Sequence, residues 1–130
     1  MPDSALGRLL KHLRDLRRMT LRDVSDLSKV DHAYVYRLET GEKTTPSDDV
    51  IGRLEHALRP PRREAKILHY LASHAETDPQ LVTFVGEDSD VSFEDFLSLA
   101  SVAHRGAGRP DYPTLLRRLR RLLAEEGDDG

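Results

Sequence analysis

Apolar residues recur at helical spacing through most of the chain, and the alternating pattern of strands is almost absent. Leucines from Leu6 to Leu16 line one face of a segment whose other faces carry arginine and lysine, which is typical of an amphipathic helix. The pair Pro60–Pro61 breaks the helical pattern, because proline lacks the backbone N–H that a helix interior needs. In this front part, helices are predicted at residues 4–18, 21–28, 31–39, about 50–58 and 65–74.

The back half also favours helices, separated by longer loops. Ser92 and Asp95 have the spacing of a helix cap, and the helix that they begin runs to about residue 103. A last helix with leucines on one side is predicted over 112–125. The apolar cluster at 81–85 is too short to assign to a helix or a strand. The pattern as a whole predicts an all-α fold.

The central stretch, residues 31–41, reads DHAYVYRLETG and predicts a short helix with two distinct faces. Asp31 is a suitable N-cap and Gly41 a suitable stop, while Val35 and Leu38 form the inward side. The polar and aromatic side chains of the helix, His32, Tyr34, Tyr36 and Arg37, are expected to point outward. This helix therefore combines a minimal buried stripe with a surface suited to recognition.

The helix before it is equally short and lies only a few residues away. Thr20 and Asp23 predict a capping box, and Leu21, Val24 and Leu27 predict one apolar stripe. Helices of this length are unstable alone because nucleation is costly, so longer helices must bracket them. Two short helices joined by a tight turn, the second with a polar and aromatic outer face, indicate a helix-turn-helix reader of DNA.

Composition and charge fit this interpretation. The 130 residues carry a formal net charge of -3, but residues 1–75 hold 14 basic and 11 acidic side chains, whereas 76–130 hold 6 and 12, so the front half is the basic one. No apolar run approaches the length of a membrane span, no signal-peptide pattern is present, and cysteine is absent. We therefore expect a cytoplasmic protein without disulfides and without membrane contact.

Enzyme chemistry is not indicated. The six histidines are scattered without metal-ligand spacing, and the chain has no G-x-S-x-G motif and no phosphate-binding glycine loop. We predict no catalytic residue, no metal site and no cofactor, and a function in binding.

Residues 6–58 resemble the Cro/C1-type (XRE-like) helix-turn-helix family. The resemblance lies in Arg14, in the TLRDVS start of the second helix, in Val30 of the turn, in the L-E-x-G ending around Glu39, and in the Pro-Ser before the fourth helix. One position departs from the family pattern: Lys29 stands where glycine is usual, and a left-handed backbone there costs about 1 kcal/mol.

The resemblance implies that the outer face of the 31–39 helix enters the major groove of double-stranded DNA, as in bacterial or phage-type regulators that act on the nucleoid. Arg37 suits guanine, and Ala33 suits a thymine methyl group. Tyr34 has packing against helix 4 as an alternative role, and Arg37 a surface salt bridge. The implied base-contacting residues are His32, Ala33, Tyr34 and Arg37, with Tyr36 at the edge. The implied phosphate contacts are Thr20, Arg22, Thr40, Lys43 and Thr44.

The resemblance also assigns a structural role to an ion pair. In the family, an arginine at the position of Arg14 pairs with the glutamate at the end of the recognition helix, here Glu39, and sets the angle of that helix. We therefore expect these two residues to stabilise the fold and to leave base contacts to others.

The two predicted regions are a helix-turn-helix domain at 1–75, expected as a five-helix bundle, and a small helical region at 76–130. The leucine-rich faces of the second exceed what the bundle needs, so we expect homodimerisation, which would present two recognition helices to a palindromic operator of a repressor. The alternative is that these helices complete a monomer core. Arg117, Arg118, Arg120 and Arg121 are read as a solvated face screened by the acidic C-terminus.

The back half also resembles, on Arg105, Gly106, Arg109 and Pro110, the DNA-damage-response repressors of the Deinococcus type. That likeness implies a junction near His104 and Arg105 that a regulatory metallopeptidase cuts; an ordinary loop is the alternative.

Two other functions stay open. The chain can be an antitoxin whose C-terminal half binds a toxin partner, or a scaffold that keeps the fold without reading DNA.

Overall fold

The computed structural model describes residues 3–105 and 111–128, and their regular secondary structure is entirely α-helical. This confirms the predicted all-α class. None of these helices is both long and apolar enough to cross a membrane. The helices are α1 (Ala5–Leu16), α2 (Leu21–Ser28), α3 (His32–Thr40), α4 (Asp48–Leu58), α5 (Arg62–Ser73), α6 (Pro79–Gly86), α7 (Phe93–Arg105) and α8 (Tyr112–Asp128).

Side-chain caps set the starts of the front helices. The Ser4 hydroxyl accepts a hydrogen bond from the backbone N–H of Gly7 at 2.9 Å. Thr20 and Asp23 form a reciprocal capping box, with bonds of 2.8 and 3.1 Å. Asp31 accepts from the first N–H groups of α3. Lys29 adopts the left-handed conformation, with φ of 61°, as the turn of the motif requires.

The apolar cluster at 81–85 forms α6. Asp78 caps this helix, and Pro79 follows at its first turn, where a missing N–H costs nothing. Its buried residues Leu81, Val82 and Val85 join the same apolar core as the inner face of α1. Arg8 of α1 also donates to the Thr83 hydroxyl of α6 at 3.0 Å. The cluster is helical because a cap and a neighbouring helix stabilise it.

All eight helices contribute to one apolar core. Phe96 of α7 is fully buried and meets the ring of Tyr70 of α5 edge-on, with centroids 5.3 Å apart. Tyr112 and Leu116 bring the first turns of α8 into the same core. The predicted regions 1–75 and 76–130 therefore share their apolar interior.

Three details of the sequence prediction were wrong. Leu27 is 59% exposed, because the buried position after Val24 is taken by Ser28, whose hydroxyl accepts a bond from the Val30 N–H at 3.2 Å. Leu16 is also exposed, since α1 ends there and the chain turns away. α5 begins at Arg62, before the predicted start at residue 65.

The start of α8 is held by residues distant in sequence. The Tyr112 hydroxyl donates to Asp78 Oδ2 at 2.6 Å, while Asp78 Oδ1 caps α6. Further along α8, Arg120 donates to the Asp90 carbonyl at 2.9 Å and lies 3.4 Å from the carboxylate of Asp95. The predicted solvated arginine face needs this correction: Arg120 binds the loop before α7 and the first turn of that helix.

The buried hydroxyl of Tyr112 should make the stability of the folded chain sensitive to alkaline pH. Burial, and then the hydrogen bond to Asp78, raise the pKa of its hydroxyl above the ordinary 10.0. The folded chain therefore keeps this proton at a pH where the unfolded chain has lost it, so the stabilisation is complete below about pH 10 and falls as the pH rises further. We expect Tyr112→Phe to unfold about 1 kcal/mol more easily at pH 7, and to lose less stability than the parent between about pH 10 and 12.

Urea titrations at a series of pH values measure both effects. Tyr70, whose pKa burial also raises, stays in the variant and supplies the residual slope. An alkaline slope unchanged by the substitution contradicts the assignment.

Candidate nucleic-acid interface

Helix α3 buries one narrow stripe and leaves its opposite face open. Val35 and Leu38 are almost completely buried. His32, Ala33, Tyr36 and Arg37 are exposed, as expected from the sequence. Tyr34 lies between these classes: it is half-buried and packs against the core, so only part of its side chain is available to a ligand.

An ion pair fixes the end of α3 to α1. The guanidinium of Arg14 binds the carboxylate of Glu39 at two points, Nε to Oε2 at 2.8 Å and Nη2 to Oε1 at 3.0 Å. Arg14 Nη1 also donates to the Met19 carbonyl at 3.0 Å. The side chains are 17% and 8% exposed, and the hydrogen bond to Glu39 raises the pKa of Arg14. Two bonds in one plane restrict rotation of α3 more than a single contact does.

A glycine brings the same two helices together at the other end of α1. A Cβ at Gly7 would lie 2.5 Å from the Glu39 carbonyl oxygen and 2.7 Å from that of Leu38. Backbone atoms cannot move aside at such distances, so only glycine allows this approach. This contact was not predicted, although a lone glycine inside a leucine-rich helix is the signal that could have indicated it.

Some of the side chains predicted to contact phosphates are exposed, and others are half-buried or already hydrogen-bonded. Thr20 and Arg22 are exposed at the start of α2; the capping bond of Thr20 uses an acceptor position and leaves its hydroxyl proton for another partner. Lys43 is exposed after α3. The Thr40 hydroxyl instead donates to the Arg37 carbonyl at 3.2 Å, and Thr44 is half-buried.

The candidate cleavage junction lies at the edge of what the structure describes. Residues His104 and Arg105 belong to the last turn of α7. Residues 106–110, which contain Gly106, Arg109 and Pro110 of that likeness, lie outside the described residues. The junction stays a prediction.

Comparison with known proteins agrees with the geometry at the front of the chain. Residues 5–67 match a family model described as a helix-turn-helix domain. No curated protein and no solved structure gives a match. The front of this chain is thus a helix-turn-helix domain, and the match supports a DNA-binding regulator as the class of protein.

Proposed function

We propose that the chain is a sequence-specific transcriptional regulator of the Cro/C1 type, a dimeric repressor that binds a palindromic operator on the nucleoid. The observation that supports this most is how α3 is held against the rest of the domain. One face of the helix is locked by Val35, Leu38 and the Glu39 ion pair, while the other presents His32, Tyr36 and Arg37. A rigid helix with a free polar face is what readout of a major groove requires.

The exposed side chains divide into two chemical groups. Arg37 can donate two parallel hydrogen bonds to O6 and N7 of guanine, and His32 and Ala33 suit other base edges. Thr20, Arg22 and Lys43 suit phosphates, which set the register of the protein on DNA without reading sequence. The first group should therefore govern specificity and the second overall affinity.

Selection of bound sequences from random duplexes tests the proposal directly. We expect a palindromic consensus whose half-sites are separated by about one helical turn, or about 34 Å. Binding of that consensus should weaken steeply as salt rises, with a log-log slope of about -0.9 for each phosphate neutralised. A scaffold that does not read DNA would show neither consensus nor slope.

Arg37 and Lys43 should respond differently to alanine substitution. Arg37→Ala is expected to lower the affinity for the selected site by about 1–3 kcal/mol and to relax the preference at one base pair, because the bidentate contact is lost. Lys43→Ala should weaken binding to the selected duplex and to a scrambled duplex by the same factor. It should also reduce the slope of log affinity against log salt by about 0.9. Fluorescence anisotropy on both duplexes separates the two patterns, and unchanged selectivity of Arg37→Ala contradicts the readout.

The exposed part of α8 supports homodimerisation. Tyr112 and Leu116 are buried in the core, but Leu122 and Leu123, on the same side of the helix, are 57% and 61% exposed. Val102 of α7 is also exposed. A leucine stripe that continues beyond its own core is suited to a second copy of the chain, and twofold pairing would present two recognition helices together.

The charges beside this stripe favour an antiparallel pair of α8 helices. Arg118 and Glu125 lie seven residues apart and flank the same side of the leucines. Antiparallel pairing brings Arg118 of one copy beside Glu125 of the other, whereas parallel pairing places these two residues on opposite flanks of the contact, where they do not meet.

Leu122→Asp is accordingly expected to convert a dimer into a monomer, as measured by light scattering after size exclusion. Arg118→Glu and Glu125→Arg should each weaken dimerisation, and the double exchange should restore it, since the cross-chain pairs are re-formed with reversed charge. A parent protein that is monomeric at micromolar concentration refutes the dimer. A double exchange no better than the single variants refutes the antiparallel arrangement.

A further inference from the structure

We infer that Glu42 is a positioning residue for Arg37 and thereby sets the ratio between specific and non-specific DNA binding. The inference rests on the proposed DNA-binding function and adds to it a residue that makes no base contact itself. It explains why a carboxylate stands in a segment otherwise suited to phosphates.

The segment after α3 folds back over the last turn of that helix. The Lys43 N–H and the Thr40 hydroxyl both donate to the Arg37 carbonyl, at 3.0 and 3.2 Å. Gly41 makes the turn possible with φ of 85°, and a Cβ there would lie only 2.8 Å from the backbone nitrogen of Asp3. The path of residues 40–43 is therefore closely constrained by the backbone.

This path places the Glu42 carboxylate beside the guanidinium of Arg37. The nearest atoms are Arg37 Nε and Glu42 Oε2, 4.0 Å apart, and the side chains are 49% and 59% exposed. Glu42 comes closest to Nε, and among the described residues no hydrogen bond engages the edge formed by Nη1 and Nη2. That edge has the two parallel donors that a guanine accepts.

Three carboxylates of the helix-turn-helix segment have structural partners. Asp23 and Asp31 cap helices, and Glu39 binds Arg14. Glu42, in contrast, is exposed between residues predicted to meet phosphates, where a negative charge opposes DNA binding of any sequence. A carboxylate at this place lowers non-specific affinity and, by restricting Arg37, favours the duplex that offers a guanine in the right position.

Removal of the Glu42 charge should raise the affinity for a scrambled duplex and lower the preference for the selected one, so the two effects can be measured separately. Glu42→Gln should bind a scrambled duplex about twofold more tightly, because one repulsive charge is gone. The ratio of affinities for selected and scrambled duplexes should fall about fivefold, because Arg37 is less well oriented. A purely structural role would change the melting temperature and leave this ratio alone.

The experiment compares full-length parent, Glu42→Gln, Arg37→Ala and the double variant by fluorescence anisotropy on both duplexes. Thermal melts followed by circular dichroism verify folding. Glu55→Gln is the matched control, since it also removes a paired carboxylate, 3.0 Å from His69, outside the predicted DNA-contacting residues. We expect the control to keep the parental ratio.

Each outcome decides the inference. A ratio that falls in Glu42→Gln, with no further fall when Arg37 is already alanine, supports it. Equal gains in affinity for both duplexes overturn it, because Glu42 then acts only by repulsion. A parent protein without preference between the duplexes overturns the proposed DNA readout itself and the inference with it.

Discussion

Arg14→Ala is expected to lower the stability of the protein by about 2–4 kcal/mol and to weaken binding of the selected DNA site. The substitution leaves the Glu39 carboxylate, which is 8% exposed, without its partner. It also removes the bond from Arg14 to the Met19 carbonyl. A buried charge left unpaired costs more than an exposed pair contributes, so the effect is large for a single side chain.

The size of this effect can be tested against an exposed pair. Arg53 and Asp49 lie one turn apart on α4 with 3.0 Å between Nε and Oδ2, and both are well exposed. Arg53→Ala should cost no more than about 0.5 kcal/mol. A thermal melt of Arg14→Ala should show a decrease of about 10 °C. Equal melting temperatures of the two variants would exclude the ion pair as the anchor of α3.

Gly7→Ala is expected to be almost as damaging, although it adds only one methyl group. The new Cβ meets two carbonyl oxygens of α3 at 2.5 and 2.7 Å, so α1 and α3 must separate. Overpacking of this kind costs about 1–3 kcal/mol. Because the displaced helix is the proposed recognition helix, the affinity for the selected duplex should fall more than the stability loss alone explains.

Gly52→Ala provides a matched control with the opposite expectation. Gly52 lies within α4, and a Cβ there would meet no atom within 4 Å. Alanine is the better helix former, so this variant should gain about 0.5–1 kcal/mol and bind DNA as the parent does. Urea unfolding and anisotropy on both variants measure the contrast. A stabilised Gly7→Ala protein would show that the α1–α3 contact is looser than described.

Short-range chemistry made much of the front half predictable. Caps, stops and apolar spacing act over one or two helical turns, so Thr20, Asp31 and Gly41 indicate helix ends without knowledge of the fold. The same local pattern identified the buried positions Val35 and Leu38. The exposed face of α3 followed from these assignments, because the positions that are not buried must face outward.

Contacts between distant residues were not predictable in this way. Either Leu27 or Ser28 could fill the buried position after Val24. Ser28 fills it, and its hydroxyl accepts a hydrogen bond from the Val30 N–H. The cluster at 81–85 has no decisive period, and its helical state depends on packing against α1. Tyr112 and Asp78 are 34 residues apart in sequence, so neither residue alone indicates the other.

The amino-acid sequence by itself determined the helical class, the two short helices of the motif and the outer residues of α3, because periodicity and capping are local properties. Tertiary structure alone decided how that helix is held: the close approach at Gly7, the folded-back loop that carries Glu42 and the docking of α8 on Asp78. Each of these joins backbone or side-chain atoms brought together only when the core forms, and a pattern of residue types holds no such distances.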